Sequence, residues 1–288
     1  MRGADMLAAR TPEPDALWYG EVAVHGGHLP ICMAGAPDAG RTPLILLHGW
    51  TLDHRMWGPQ AAGQLASEHF LVMPDRRGCG RATAPPDLAR EAEDVIAIAD
   101  FLGFERFALL GLSRGAVVAL EVARRHASRL TALVASGAPL PALVEREEVI
   151  DLDRYRALAA AGDLAQFRAD WAQHPLMQTH GPEAAALAAA MLADYDGRDL
   201  LGGGGSARLG APGLPREAAA MLAMPVLSLT GAHDTSWRRA CARALADVAP
   251  RARYAEIPHA GHLANADNPA AFDAAVSAFL CACASKPR

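Results

Sequence analysis

A serine stands between two glycines in the run Ala108-Leu-Leu-Gly-Leu-Ser-Arg-Gly-Ala-Val117. The pattern is Gly-x-Ser-x-Gly, with an apolar stretch before it and a helix-like stretch, VVALEVARRH, after it. A sharp turn from strand to helix forces the central residue into strained backbone geometry, and flanking side chains would collide there. Such a turn lifts the hydroxyl of Ser113 above the strand ends. It also sets a helix N-terminus beneath it, where backbone N–H groups favour developing negative charge. The chemistry this suits is nucleophilic attack on a carbonyl; the plainer reading is a turn that happens to contain serine.

A serine hydroxyl needs a base. Of the 11 histidines, His262 in Ala260-Gly-His-Leu-Ala-Asn-Ala-Asp-Asn-Pro269 is best placed, after the last strand-like run and before the final helix. His259 is its rival. The base needs an orienting carboxylate, and Asp234 closes the run PVLSLTGAHD. The fourth apolar run ends in SGAPLP, which offers no acid. His233, next to Asp234, reads as loop filler. An acyl transfer also needs donors for an oxyanion. The backbone N–H of Arg114 is one candidate. The N–H of Trp50, in His48-Gly49-Trp50, is the second, with Gly49 admitting the backbone close to a substrate and His48 bracing the loop.

These residues must be carried to one place. Largely apolar runs at 43–48, 69–75, 106–113, 130–138 and 225–234 read as strands buried on both faces, and 252–262 as a weaker sixth. Helical patterns lie between most of them, near 55–67, 88–103, 114–127, 236–248 and 268–283. That alternation predicts a mostly parallel sheet covered on both faces. WYGEVAVHGGHLPICMAG reads as a hairpin, and residues 1–15 as a loose tail. From 141 to about 220 the strands stop. The segment is alanine-rich and helix-prone, ending in LGGGGSARLGAPGLP (201–215), a return loop. Leaving and re-entering at strand ends, it reads as a cap over the mouth of the sheet.

Five motifs in order, LLHGW (46–50), DRRGCG (75–80), GLSRG (111–115), GAHD (231–234) and AGH (260–262), resemble the α/β-hydrolase superfamily over about residues 18–283. The resemblance implies an α/β fold with an eight-stranded, mostly parallel sheet flanked by helices. The implied core spans 16–140 and 216–283, with a helical cap inserted at 141–215. It also implies no cofactor, and the order Ser113, Asp234, His262 is that of the family's triad. HGW with DRRGxGR is most similar to the branch of small esterases, cofactor-free perhydrolases and enol-lactonases. Asp75 and Arg77 are taken as structural. The chain departs from many members in carrying Arg114 after the serine and Arg81-Ala82-Thr83 after the glycine loop. Family members that cleave haloalkanes or epoxides use aspartate at the nucleophile position, which Ser113 argues against.

The expected activity is therefore hydrolysis of a small carboxylic ester, lactone or thioester through an acyl-enzyme on Ser113. Trp57, Trp171, Leu176 and Met177 are candidates for an apolar acyl pocket, with ordinary packing the competing role for the aromatics. A C–C bond hydrolase or lyase-like enzyme could use the same triad, and a ligand-binding protein on this scaffold would also fit. A purely structural role would predict a degraded triad. The net charge of −5 argues against nucleic acid as a partner. No apolar run of about 18 residues suggests a membrane span, and the first residues lack the apolar core of a signal peptide. Five scattered cysteines without a CxxC pair suggest neither a disulfide framework nor a metal site, and fit a reduced cytoplasmic protein acting on a small molecule.

Overall fold

The computed structural model describes residues 17–37, 42–201 and 214–284. The expected tail at 1–15 and nearly all of the return loop at 201–215 lie outside these. Eight strands form one sheet in the order β1-β2-β4-β3-β5-β6-β7-β8. They are β1 Trp18–Val24, β2 Gly27–Ala34, β3 Leu44–Leu47, β4 Leu71–Pro74, β5 Phe107–Leu112, β6 Leu130–Ser136, β7 Val226–Gly231 and β8 Ala252–Ile257. β1 and β2 pair antiparallel through a two-residue turn, and β2 pairs antiparallel with β4. All remaining pairings are parallel.

The central strands β3, β4 and β5 are apolar along their length because both faces are covered. Leu44 and Leu46 face one core cluster, and Ile45 and Leu47 face the other. The covering helices follow in chain order. Short α1 Gly58–Ala61 and α2 Gln64–Glu68 replace the single helix expected over 55–67, which breaks at Ala62-Gly63. Then come α3 Glu91–Phe101 and α4 Arg114–Arg125. In α4, Ala116, Val118, Ala119, Leu120, Val122 and Ala123 form the buried side, and Arg124 and Arg125 close the last turn, where cations suit the helix dipole.

After β6 the chain leaves the sheet. Residues 141–201 contain only helices: α5 Leu152–Ala160, α6 Leu164–Ala172, α7 Pro182–Asp194 and α8 Arg198–Leu201, with a 3₁₀ turn at Pro175–Met177. Asp151 and Asp163 cap α5 and α6 by accepting from the N–H groups of Arg154 and Gln166, which satisfies donors the helix leaves open. After α9 Arg216–Ala220 the chain returns through β7, α10 Ser236–Val248, β8, α11 Ala264–Asp267 and α12 Pro269–Ala284. Among the described residues no helix is long and apolar enough to cross a membrane.

The strand order reverses at β3. The chain runs outward from β3 to β4, then crosses back to β5 on the other side. A crevice opens at such a switch point, beyond the carboxyl ends of the strands. Gly49-Trp50 follows β3 there, and Ser113 follows β5.

Candidate active site

Ser113 has φ 55° and ψ −113°, a left-handed conformation that few non-glycine residues hold. Its N–H donates to the Ser136 carbonyl at 2.8 Å, which fastens the turn to β6. The flanking glycines are required by close approach. A Cβ on Gly111 would lie 2.2 Å from the Gly115 carbonyl oxygen, and one on Gly115 would lie 2.2 Å from that of Leu47. The turn is thus wedged against α4 on one side and β3 on the other.

His262 and Asp234 meet beside it. His262 Nδ1 lies 2.9 Å from Asp234 Oδ2, and both side chains are buried. Asp234 Oδ1 accepts from the Thr235 N–H at 2.8 Å. A carboxylate can only accept, so Nδ1 carries a proton, and in the neutral ring the lone pair is on Nε2. That Nε2 is buried and makes no hydrogen bond within the protein. Ser113 and His262 line one cavity. Their side chains are not hydrogen-bonded here; such contacts often tighten only around a substrate. His259, the rival base, has φ 55° and is exposed, outside the cavity lining. His233 is exposed and packs on His180, ring centroids 4.8 Å apart.

Gly49, Trp50 and Arg114 also line the cavity. Neither the Trp50 nor the Arg114 N–H has a partner among the backbone hydrogen bonds of the described turns and loops. The loop under them is held by His48, which is wholly buried. Its Nε2 accepts from the Arg76 N–H at 3.0 Å, so Nδ1 bears the proton and donates to the Gly49 carbonyl at 2.8 Å. Burial, then the Arg76 guanidinium, pushes the His48 pKa down to about 3. It remains neutral, as this bonding requires.

Of the residues expected in an acyl pocket, Trp171, Leu176 and Met177 line the cavity, with Leu52, Leu112, Val117, Ile150 and Leu152. Trp57 does not. It is fully buried in the core beside Phe272, at 6.4 Å between ring centroids, because the turn at His54–Trp57 points its ring under α12 rather than toward the strand ends.

Asp75 and Arg77 brace the loop after β4. Arg77 makes a two-pronged pair with Asp94. Asp75 Oδ1 accepts from the His54 N–H and Nδ1, and Oδ2 from the Arg81 N–H. Burial opposes its charge, but these bonds and His54 outweigh burial and hold its carboxyl at about 2. Asp53, His54 and Asp75 also bring ligand-type atoms within 4.8 Å of one another. Those atoms are already spent on each other and on the Arg55 and Arg81 donors, so the group reads as a loop brace rather than a metal site.

Sequence reasoning missed several supports of the site. Thr51 has φ 62° and bonds the Trp50 carbonyl. Arg238 lines the cavity and donates twice to Glu148 and once to the Gly137 carbonyl. Burial disfavours the Glu148 charge, but Arg238 more than offsets this and lowers its pKa. Asp199 lies buried against Trp50. None carries a motif, and Glu148 and Asp199 sit in the segment whose sequence is least distinctive.

The model of the Alpha/beta hydrolase family matches residues 44–275. A RutD protein of Caulobacter sp. (strain K31), by name a carbamate hydrolase, is 28% identical over 268 residues, covering 85% of this chain and 93% of its own. A solved hydrolase from Pseudomonas aeruginosa is 27% identical with a TM-score of 0.73, covering 91% of this chain and 98% of its own. The enol-lactonase of Burkholderia xenovorans shares the fold at TM-score 0.75 and 23% identity, covering 91% of this chain and all of its own.

Proposed function

Since the chain belongs to the alpha/beta hydrolase family and is a hydrolase, we propose that it cleaves a small carboxylic ester, lactone or thioester through an acyl-enzyme on Ser113. The observation that carries this reading is the geometry of His262. Its Nδ1 is tied to Asp234, and its unbonded Nε2 belongs to a residue lining the cavity that Ser113 also lines.

Ser113 Oγ attacks the substrate carbonyl while His262 Nε2 takes its proton. Asp234 holds the imidazole in the right tautomer and balances the imidazolium charge. The oxyanion lies against the N–H groups of Trp50 and Arg114. Collapse expels the alkoxide or thiolate, which leaves with the proton from His262. Water, deprotonated by His262, then attacks the acyl-enzyme and releases the acid and Ser113. The helices between Leu152 and Leu201 act as a cap on the sheet and supply part of the acyl pocket.

RutD proteins are named for carbamates, whose acyl side is a polar nitrogen. Beside the charged Arg114, Arg146, Glu148 and Arg238, the lining here carries a wall of aliphatic side chains, Leu52, Leu112, Val117, Ile150, Leu152, Leu176 and Met177, which favours a hydrocarbon acyl group.

The test is steady-state hydrolysis of p-nitrophenyl esters from acetate to octanoate, with a p-nitrophenyl carbamate beside them, for wild type and Ser113→Ala. Turnover with a chain-length optimum, lost by about 10⁴-fold or more in the variant, is the expected result. Equal rates in both proteins overturn the assignment of Ser113. No ester turnover in wild type overturns the ester reading.

A further inference from the structure

The two candidate oxyanion residues are Trp50, in the loop after β3, and Arg114, which opens α4, yet their side chains converge on one carboxylate of the inserted helical segment. Asp199, on α8, is 1% exposed. Its Oδ2 accepts from Trp50 Nε1 at 2.8 Å and lies 3.6 Å from Arg114 Nη1. Its Oδ1 accepts from the Tyr195 hydroxyl. Burial, and then the Asp199 charge, raises the Tyr195 pKa well above its usual value, so that hydroxyl stays a donor.

The inserted helices grip the same loop a second time. Trp171 Nε1 donates to Thr51 Oγ1 at 2.9 Å, and Thr51 Oγ1 donates to the Trp50 carbonyl at 2.6 Å. The Trp50 ring lies edge-on to Trp171, with centroids 4.7 Å apart. Thr51 holds φ 62°, a conformation that persists only where its surroundings impose it. The acceptor of the Trp50 indole N–H, Asp199, and the aromatic partners of the Trp50 ring, Tyr155, Phe167, Trp171 and Tyr195, all belong to the inserted segment.

We infer that Asp199 is a positioning residue for the oxyanion site: seating of the inserted helices on the core, through Asp199, sets the two backbone donors. The inference rests on the functional reading above, in which Trp50 and Arg114 hold the oxyanion. It makes the cap part of what sets the rate of acyl transfer, beyond enclosing the substrate. Donors act strongly only when fixed in advance at the position of the developing charge. Loosening them lowers kcat, whereas loosening the pocket wall alone raises KM.

The experiment compares wild type with Asp199→Ala, Asp199→Asn and Trp50→Phe on the preferred p-nitrophenyl ester. It also measures inhibition by n-butylboronic acid. Ser113 Oγ adds to that boron with transfer of its proton to His262, giving a tetrahedral anion that fills the oxyanion position. Asp199→Ala is expected to lower kcat about 100-fold, the scale of one lost oxyanion donor, and to weaken boronate binding in step. Asp199→Asn keeps an oxygen for the Trp50 indole but loses one of the two carboxylate charges facing Arg114, the other being Glu91 at 3.8 Å, so it falls between. Trp50→Phe keeps the backbone N–H and loses the tether; combined with Asp199→Ala it adds little, because both remove one interaction.

A kcat within threefold of wild type in Asp199→Ala, with KM raised and boronate affinity kept, overturns the inference and leaves Asp199 a packing residue. Should Asp199→Ala not fold, Asp199→Asn and Trp50→Phe decide by the same two readouts. Wild type that neither hydrolyses esters nor is labelled at Ser113 by a fluorophosphonate overturns the functional reading and this inference with it. An active wild type with variants unchanged in kcat overturns the inference alone.

Discussion

Asp234 Oδ2 meets His262 Nδ1 at 2.9 Å across a sequence separation of 28 residues, with both side chains buried. Two adjacent parallel strands make this possible. β7 and β8 pair Gly231 with Ile257, so the loops after them emerge side by side. The ring of His262 rests against Gly137, where a Cβ would lie 2.7 Å from Cε1. The ring is held by a bond on one edge and by packing on another.

Replacing the carboxylate while keeping its shape tests that role. Asp234→Asn places an amide against Nδ1 and favours the wrong tautomer of His262. The expected outcome is a loss of about 10⁴-fold in kcat with KM little changed and the fold intact. Ester kinetics beside a circular dichroism melt check it. A loss below tenfold sinks the orienting role.

The acyl pocket should respond to the residues that line it and ignore the one that does not. Met177→Ala and Leu176→Ala enlarge the cavity wall and should move the preferred ester toward longer acyl chains. Trp57→Phe should leave the chain-length optimum where it was and lower the melting temperature, since Trp57 is core. Losing part of a well-packed ring costs about 1–3 kcal/mol. A shifted optimum in Trp57→Phe would contradict the placement.

Acid should unfold the protein partly through His48. Its pKa is about 3 in the fold and about 6.5 in the unfolded chain, so the unfolded state binds the extra proton between these values. The stability this neutral imidazole contributes is present above pH 6.5 and is lost as pH falls toward 3. Chemical denaturation between pH 3 and 8 reads it as a slope. His48→Ala should flatten that slope and cost about 1–3 kcal/mol at pH 8 by leaving the buried Arg76 N–H without its acceptor. An unchanged slope would place the acid sensitivity elsewhere.

Much of the frame was legible in the chain because parallel strands covered on both faces leave an unusually plain signal. The runs LILL, LVMP, FALLGL and LTALVAS are apolar at successive positions with little alternation, and only a doubly covered strand has use for that. The glycines around Ser113 were legible for a related reason. No other residue fits between the turn, α4 and β3, so the constraint is written in residue type. His262 was harder, since eleven histidines compete and only the glycine before it and the helix-capping run after it set it apart from His259. The sheet carries the His262 ring onto Asp234 and leaves His259 exposed.

The inserted helices lie at the opposite extreme. Their alanine-rich sequence specifies helix through propensity and says little about which side faces the site. That Trp171 lines the cavity while Trp57 lies under Phe272 follows from packing between segments far apart in the chain. So does the convergence of Trp50, Arg114 and Tyr195 on Asp199, which joins residues up to 149 positions apart. The chain by itself determined the sheet, the strained serine turn and the order of the residues with chemistry. Tertiary structure alone decided which tryptophan meets the cavity and which acid meets the loop after β3. Local patterns record backbone geometry and burial, whereas a pair of side chains from distant segments is chosen only when the whole sheet and its covering helices bring them together.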